Sequence, residues 1–171
     1  MIQGGDGPHR RKFQMRADAL SIGDDYWIQD EQGNKAFHVD GKSMRARETW
    51  VLEDADGNDL ATIREKKLTI RDKIKIELAD GREATVRKAL ISFGEKYVVE
   101  VEDGPELEVK GKIGEHEYKI ERDGDQVAEI SKKWFRVRDT YGVEVEDDAW
   151  SVLVLCVTVA VGALAAEATA E

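Results

Sequence analysis

Only one cysteine, Cys156, occurs in the chain, so no internal disulfide is expected and an intracellular, cytoplasmic setting is the simpler reading. Two prolines in 171 residues, and no low-complexity stretch, leave nothing that reads as a linker. One domain is expected, large enough to bury a core. Basic charge is also in short supply: 26 lysines and arginines face 36 aspartates and glutamates, a net charge of −10. Nucleic acid is therefore not an expected partner, because binding it draws on a basic surface that displaces counterions. The N-terminus MIQGGDGPHRRKFQ has basic residues without an apolar stretch behind them, so a secretory signal is not expected, and residues 1–12 read as a flexible tail. His9, His38 and His116 are not at metal-ligand spacing, and no Gly-x-Ser-x-Gly elbow or cysteine–histidine pairing is present. No metal, cofactor or catalytic residue is expected.

What is present is alternation. From Tyr26 to Glu146 short runs of period two are separated by turn signals: Glu31-Gln32-Gly33-Asn34, Asp56-Gly57, Asp80-Gly81, Asp103-Gly104 and Asp123-Gly124-Asp125. Aspartate–glycine supplies the positive φ of a tight hairpin. Between turns, Ile74, Ile76 and Leu78 oppose Lys73, Lys75 and Glu77, and Tyr97, Val99 and Val101 oppose Val98, Glu100 and Glu102. Such spacing predicts about a dozen antiparallel strands, each with one wet face. A weak repeat relates WVLEDADGNDLATIREKK (50–67) to YKIERDGDQVAEISKKW (118–134), through a duplicated meander or through chance similarity of hairpins.

The last third ends in SVLVLCVTVAVGALAA, residues 151–166, with no charge in it. This run is shorter than the ~20 apolar residues of a spanning helix, and both its flanks are acidic. Asp147 or Asp148 is placed to cap a helix over about 148–167. A helix apolar on every side must be enclosed by apolar surface, and in a lipid-free protein that means the inside of a barrel.

YWIQDEQGNKAFHVDGK (26–42) followed by LEDADGNDLATIREKKLTIRDKIKI (52–76) resembles the opening half of LURP-one-related proteins, and EISKKWFRVRDTYGVEVEDDAWSVLVLCVTVAV (129–161) resembles their closing half. The closing segment is also similar to the end of phospholipid scramblases. The resemblance implies a single Tubby-like domain over 13–171, mainly β, with about twelve antiparallel strands closed around the hydrophobic C-terminal helix. Scramblases are proposed to bind calcium just before that helix. Here Tyr141 and Val143 occupy alternate positions where oxygen ligands belong, so that property is not expected to carry over. Tubby itself holds phosphoinositide headgroups on surface lysine and arginine, which carries over only with a comparable basic patch.

Two motifs read as ordinary structure. GKS (41–43) lacks the glycine a phosphate loop needs five residues earlier, where Ala36 stands. DADGNDLATIRE (54–65) starts like a calcium loop but has Asp59 at the sixth position, where the sharp turn needs glycine. The basic stretches remain: Arg64, Lys66, Lys67, Arg71, Lys73 and Lys75 in the first, Lys132, Lys133, Arg136 and Arg138 in the second. If the two repeat halves lie side by side, Lys66, Lys67, Arg71, Lys73, Lys132, Lys133, Arg136 and Arg138 converge on a headgroup-binding patch, with Trp134 and Phe135 as interfacial aromatics. The alternative is a solvated outer face neutralised by Glu65, Asp72 and Asp139, with Trp27, Trp50 and Trp150 in core or rim packing. The expected function is a non-catalytic binding or scaffold module with a protein partner. The alternative is a peripheral protein that binds anionic phospholipid, not an integral membrane protein.

Overall fold

Twelve strands follow from the alternation. The structure, a computed structural model, describes residues 9–16, 25–44, 47–66, 73–89, 95–135 and 139–170, without the side chains of 42–44, 47, 48, 66 and 166–170. The strands are β1 (Arg11–Arg16), β2 (Tyr26–Asp30), β3 (Lys35–Met44), β4 (Arg47–Asp54), β5 (Asp59–Lys66) and β6 (Lys73–Leu78). They continue as β7 (Glu83–Lys88), β8 (Glu95–Val101), β9 (Leu107–Lys112), β10 (Glu117–Arg122), β11 (Asp125–Ser131) and β12 (Thr140–Val145). Each pairs antiparallel with its sequence neighbours, and β1 pairs with β12, closing the barrel so that no edge is left to aggregate.

Closure fixes two rims. Even strands end, and odd strands begin, at one rim, where the connections are tight. Gly57 adopts φ +91°, and in the turns at 103 and 123 aspartate itself takes positive φ, 54° and 51°. Asp54 accepts hydrogen bonds from the backbone N–H of Asp56 and Asn58, both at 2.9 Å, and Asp30 does the same for Gln32 and Asn34 at 3.0 and 2.9 Å. These carboxylates shape hairpins, the ordinary reading of the 54–65 motif. At the opposite rim odd strands pass to even ones through connections of varied length, from two residues between β3 and β4 to the segment between β11 and β12, one of them containing the 3-10 turn Ile113–Glu115.

The helix α1 (Ser151–Ala170) enters at the tight-turn rim. Asp147 accepts from the N–H of Ala149 at 3.1 Å, and Asp148 accepts from the Ser151 hydroxyl at 2.9 Å, so both candidate caps are used. Twenty residues at ~1.5 Å each give roughly 30 Å, enough to traverse the barrel. By length and composition the helix would also cross a bilayer, but its residues from Leu153 to Val161 are all buried within the barrel. Around it stand the inward residues of the strands, among them Phe13, Ile28, Leu52, Ile63, Ile76, Val86, Val109, Ile120 and Val143. Thr158, the polar residue mid-helix, donates its hydroxyl to the Val154 carbonyl at 2.8 Å.

Three expectations change. The repeat halves do not lie side by side: β4–β5 and β10–β11 stand six places apart in the ring of twelve, on opposite sides of the barrel. They share more than sequence, though. Each hairpin shifts register at the same aligned step, Leu52/Glu53 in one and Ile120/Glu121 in the other. The aligned inward residues, Trp50 with Tyr118, Leu52 with Ile120, Ala61 with Ala128 and Ile63 with Ile130, are all buried. A duplicated six-strand half accounts for both the bulge and the half-turn of separation. Glu65 also departs from expectation: it follows Ala61 and Ile63 in alternation, faces inward and is 1% exposed. Of the tryptophans, Trp50 is in the core and Trp150 at the rim, whereas Trp27 lies on the outer wall, with its ring 4.8 Å from His38 and the Lys35 ammonium 4.6 Å away.

Because α1 is enclosed, Val157→Asp sets an unpaired charge against apolar walls, a loss of several kcal/mol. In detergent-free buffer this variant should lose its cooperative thermal transition by circular dichroism, while Val157→Ala keeps it at a lower temperature. An aspartate variant that melts like the parent contradicts the enclosed helix.

Candidate functional site at the barrel rims

The outer wall between β5 and β10 is laced with ion pairs: Arg64–Glu77, Lys75–Glu83 and Arg87–Glu100 each at 3.0 Å, and Lys110 with Glu108 at 3.2 Å and Glu121 at 3.3 Å. The strand register places these residues on neighbouring outward positions. Pairs this exposed add little stability, about 0.2–1 kcal/mol each, but they neutralise the wall. Arg64 and Lys75 are thereby engaged. Over this stretch the charged outward positions leave no apolar band of the kind a membrane-crossing barrel presents.

Net charge separates along the barrel axis instead. Every connection at the tight-turn rim carries aspartate: Asp30, Asp54, Asp80, Asp103, Asp123 and Asp147. At the opposite rim the exposed basic side chains include Arg16, Lys73, Lys88, Lys112, Lys132 and Lys133, with Asp25, Glu115, Glu117 and Asp139 interleaved. Of the eight residues expected to converge, Lys73 opens β6, where it is paired in register with Lys66, and Lys132 and Lys133 follow β11. Lys67, Arg71, Arg136, Arg138 and the Lys66 side chain lie outside the described residues. Lys73 and the Lys132–Lys133 pair share a rim, but β6 and β11 are five places apart around it. Among the described residues, Lys73 and the Lys132–Lys133 pair therefore stand at separate places on the rim.

The best-defined part of that rim is the segment after β11. Ser131 is buried; its hydroxyl donates to one Glu117 carboxylate oxygen at 2.7 Å, and the Lys132 N–H donates to the other at 2.9 Å. The Lys133 N–H donates to the Ser131 hydroxyl at 3.1 Å. Burial alone would raise the Glu117 carboxyl, but the bonds from Lys132 and Ser131 and the charges of Lys133 and Lys132 prevail and hold it below its ordinary 4.5. The chain then folds Trp134 and Phe135 over Gly142 on β12. A Cβ at Gly142 would stand 2.7 Å from Trp134 and 3.0 Å from Phe135, so only glycine admits the contact. Lys12 and Lys133 place their ammonium groups 5.1 and 5.3 Å from the Trp134 ring. The two half-buried aromatics are thus spent on the barrel wall. Lys132 and Lys133 remain exposed. Beside them His116 stacks on Tyr141 at 4.2 Å, and burial followed by the Lys132 charge lowers its pKa, favouring neutral imidazole.

Among the described residues no group of three or more histidine, cysteine, aspartate or glutamate side chains is placed to hold a metal. Tyr141 and Val143 point into the core, which removes them as calcium ligands. The sequence reading missed Glu117 as the anchor of the 131–135 segment, and its only signal was proximity in register to Ser131.

The family model of LURP-one-related proteins matches residues 11–162, from the first residue of β1 well into α1. The uncharacterized protein YxjI of Bacillus subtilis (strain 168) is 23% identical over 150 residues, covering 86% of this chain and 88% of that protein.

Gly142→Val forces Trp134 and Phe135 off the wall, at a cost of roughly 1–3 kcal/mol, the range for overpacking. The expected readings are a red-shifted tryptophan emission and a lowered denaturation midpoint; unchanged emission contradicts the contact. Because the folded carboxyl of Glu117 is depressed, its contribution to stability is present above the unfolded value near 4.5 and is lost as pH falls through the folded value. Denaturation at several pH values should show the deficit of Glu117→Gln shrinking below pH 4.5. A deficit constant through that window would contradict the assignment.

Proposed function

The chain belongs to the LURP-one-related family, and on that premise we propose that it is a non-catalytic, cytoplasmic, Tubby-like binding module that meets its partner with the barrel exterior. The observation that carries this reading is the position of α1. In barrels that work on small molecules the interior holds the ligand. Here the interior is filled by Leu153–Val161. The groups that catalysis would draw on are also poorly placed. Burial raises the Cys156 thiol and pushes the Tyr97 hydroxyl up to about 12, so neither is a ready nucleophile or base at neutral pH.

A second reading, an anionic phospholipid headgroup held at the basic rim, is favoured by the separation of charge along the axis. A barrel with exposed lysines at one rim and aspartates at the other would orient on an anionic surface. Each basic residue near such a surface contributes roughly 1 kcal/mol. Flotation with liposomes, neutral against anionic, at low and near-physiological salt, tests both readings. The module reading expects folded protein that stays with the aqueous phase. Salt-sensitive flotation on anionic vesicles alone, abolished by Lys132→Glu with Lys133→Glu, would replace it with the lipid reading. Salt-resistant flotation on both vesicle types would contradict both, since α1 would then have left the barrel for the bilayer.

A further inference from the structure

At the acidic rim the core is not closed over. Where α1 enters, a cleft of about 520 Å³ opens between the helix start and the β6–β7 hairpin. Its floor and walls are Leu60, Leu78, Trp150 and Val152, each partly exposed, with Asp80 and Arg82 at the lip, paired at 2.9 Å. Inward positions in register with this corner are filled by small side chains, Ala61 opposite Leu78 and Ala84 opposite Ile76. The volume falls within the roughly 300–1,000 Å³ of ordinary ligand clefts.

Its surroundings select the occupant. The β6–β7 hairpin is flanked along the rim by the β4–β5 hairpin, with Asp56 and Asp59, and by the β8–β9 hairpin, with Glu102, Asp103 and Glu106. All five are exposed, and none is held in an ion pair among the described residues. The lip pair of Asp80 and Arg82 is neutral, and the Arg122 guanidinium lies over the Trp150 ring at 5.5 Å; the uncommitted negative charge is carried by the two flanking turns, on either side of the cleft. Four strand spacings of ~4.8 Å separate the two flanking turns, roughly 20 Å along the rim. One small cation cannot meet both; an extended peptide does so in about six residues at ~3.3 Å each.

We propose that this cleft docks a partner's peptide segment with an apolar centre and lysine or arginine on both sides. Apolar side chains of the segment cover Leu60, Leu78, Trp150 and Val152, which supplies affinity. Its basic flanks lie over the acidic turns, which supplies on-rate and specificity. This deepens the binding-module reading by naming the chemistry of the partner, and rests on it.

The test uses the full chain and two synthetic peptides, one with a Leu-Leu-Val centre between Lys-Lys flanks, the other with Glu-Glu flanks. Binding is followed by anisotropy and by the tryptophan indole N–H signals in a ¹⁵N-labelled sample. The lysine-flanked peptide should bind one to one and shift the Trp150 indole but not that of Trp134. Leu60→Gln should weaken binding roughly tenfold, the scale of losing one buried apolar contact. Asp56→Lys with Glu106→Lys should weaken it more at low salt than at high. Circular dichroism confirms that each variant is folded. The proposal is overturned by no binding, by equal binding of the glutamate-flanked peptide, or by binding that is silent at Trp150 and indifferent to Leu60→Gln. A hydrophobic dye that fills the cleft while the peptide does not would overturn it in favour of a small-molecule occupant. Failure of the peptide alone leaves the flotation result, and with it the module reading, standing.

Discussion

A helix without a polar face cannot rest on a protein surface, and every larger feature of this molecule answers to that constraint. The strand run from β1 to β12 closes completely because α1 needs apolar contact on all sides. The helix in turn is built mainly from valine, alanine and leucine, with one glycine, side chains slim enough to fit within a ring of twelve strands. Asp147 and Asp148 start it at the rim through local bonds, so its charge-free body begins only where the wall begins to surround it.

Filling the interior leaves the outer surface as the part open to other molecules, and duplication shapes what that surface offers. The matched register shifts at Leu52/Glu53 and Ile120/Glu121 place equivalent hairpins half a turn apart, so their basic ends reach the same rim on opposite sides. Tight aspartate-bearing turns collect at the other rim for a related reason: positive φ and short connections favour the same residue types in each hairpin. Opposite charge at the two rims is thus a by-product of local turn chemistry repeated in an antiparallel ring.

Much of this was legible in the residues. The alternation of Ile74, Ile76 and Leu78 with Lys73, Lys75 and Glu77 stated which face was wet, and Asp-Gly pairs marked the hairpins. Enclosure of α1 followed from its lack of a polar side. What alternation does not encode is position around the ring. Whether Lys73 and Lys132 meet is decided by closure between β1 and β12, a contact between the two ends of the domain. Trp134 and Phe135 read as membrane-facing aromatics because their true partner, Gly142, is a residue with no side chain to announce the contact. Glu65 was assigned to the wall by its charge, although the period of Ala61 and Ile63 already pointed it inward; burial pattern outweighed residue type. The cleft at the helix entry was illegible for a similar reason, since its lining comes from the starts of β5 and α1 and the β6–β7 hairpin, which only the closed fold brings together.

Native-state amide hydrogen exchange, in water and without lipid, tests the enclosure of α1 most directly. The account predicts that amides from Leu153 to Val161 exchange only through global unfolding, with the same free energy and denaturant dependence as the inward residues of β5 and β6. Faster, sub-global exchange of the helix, or protection that arises only when vesicles are added, would contradict it.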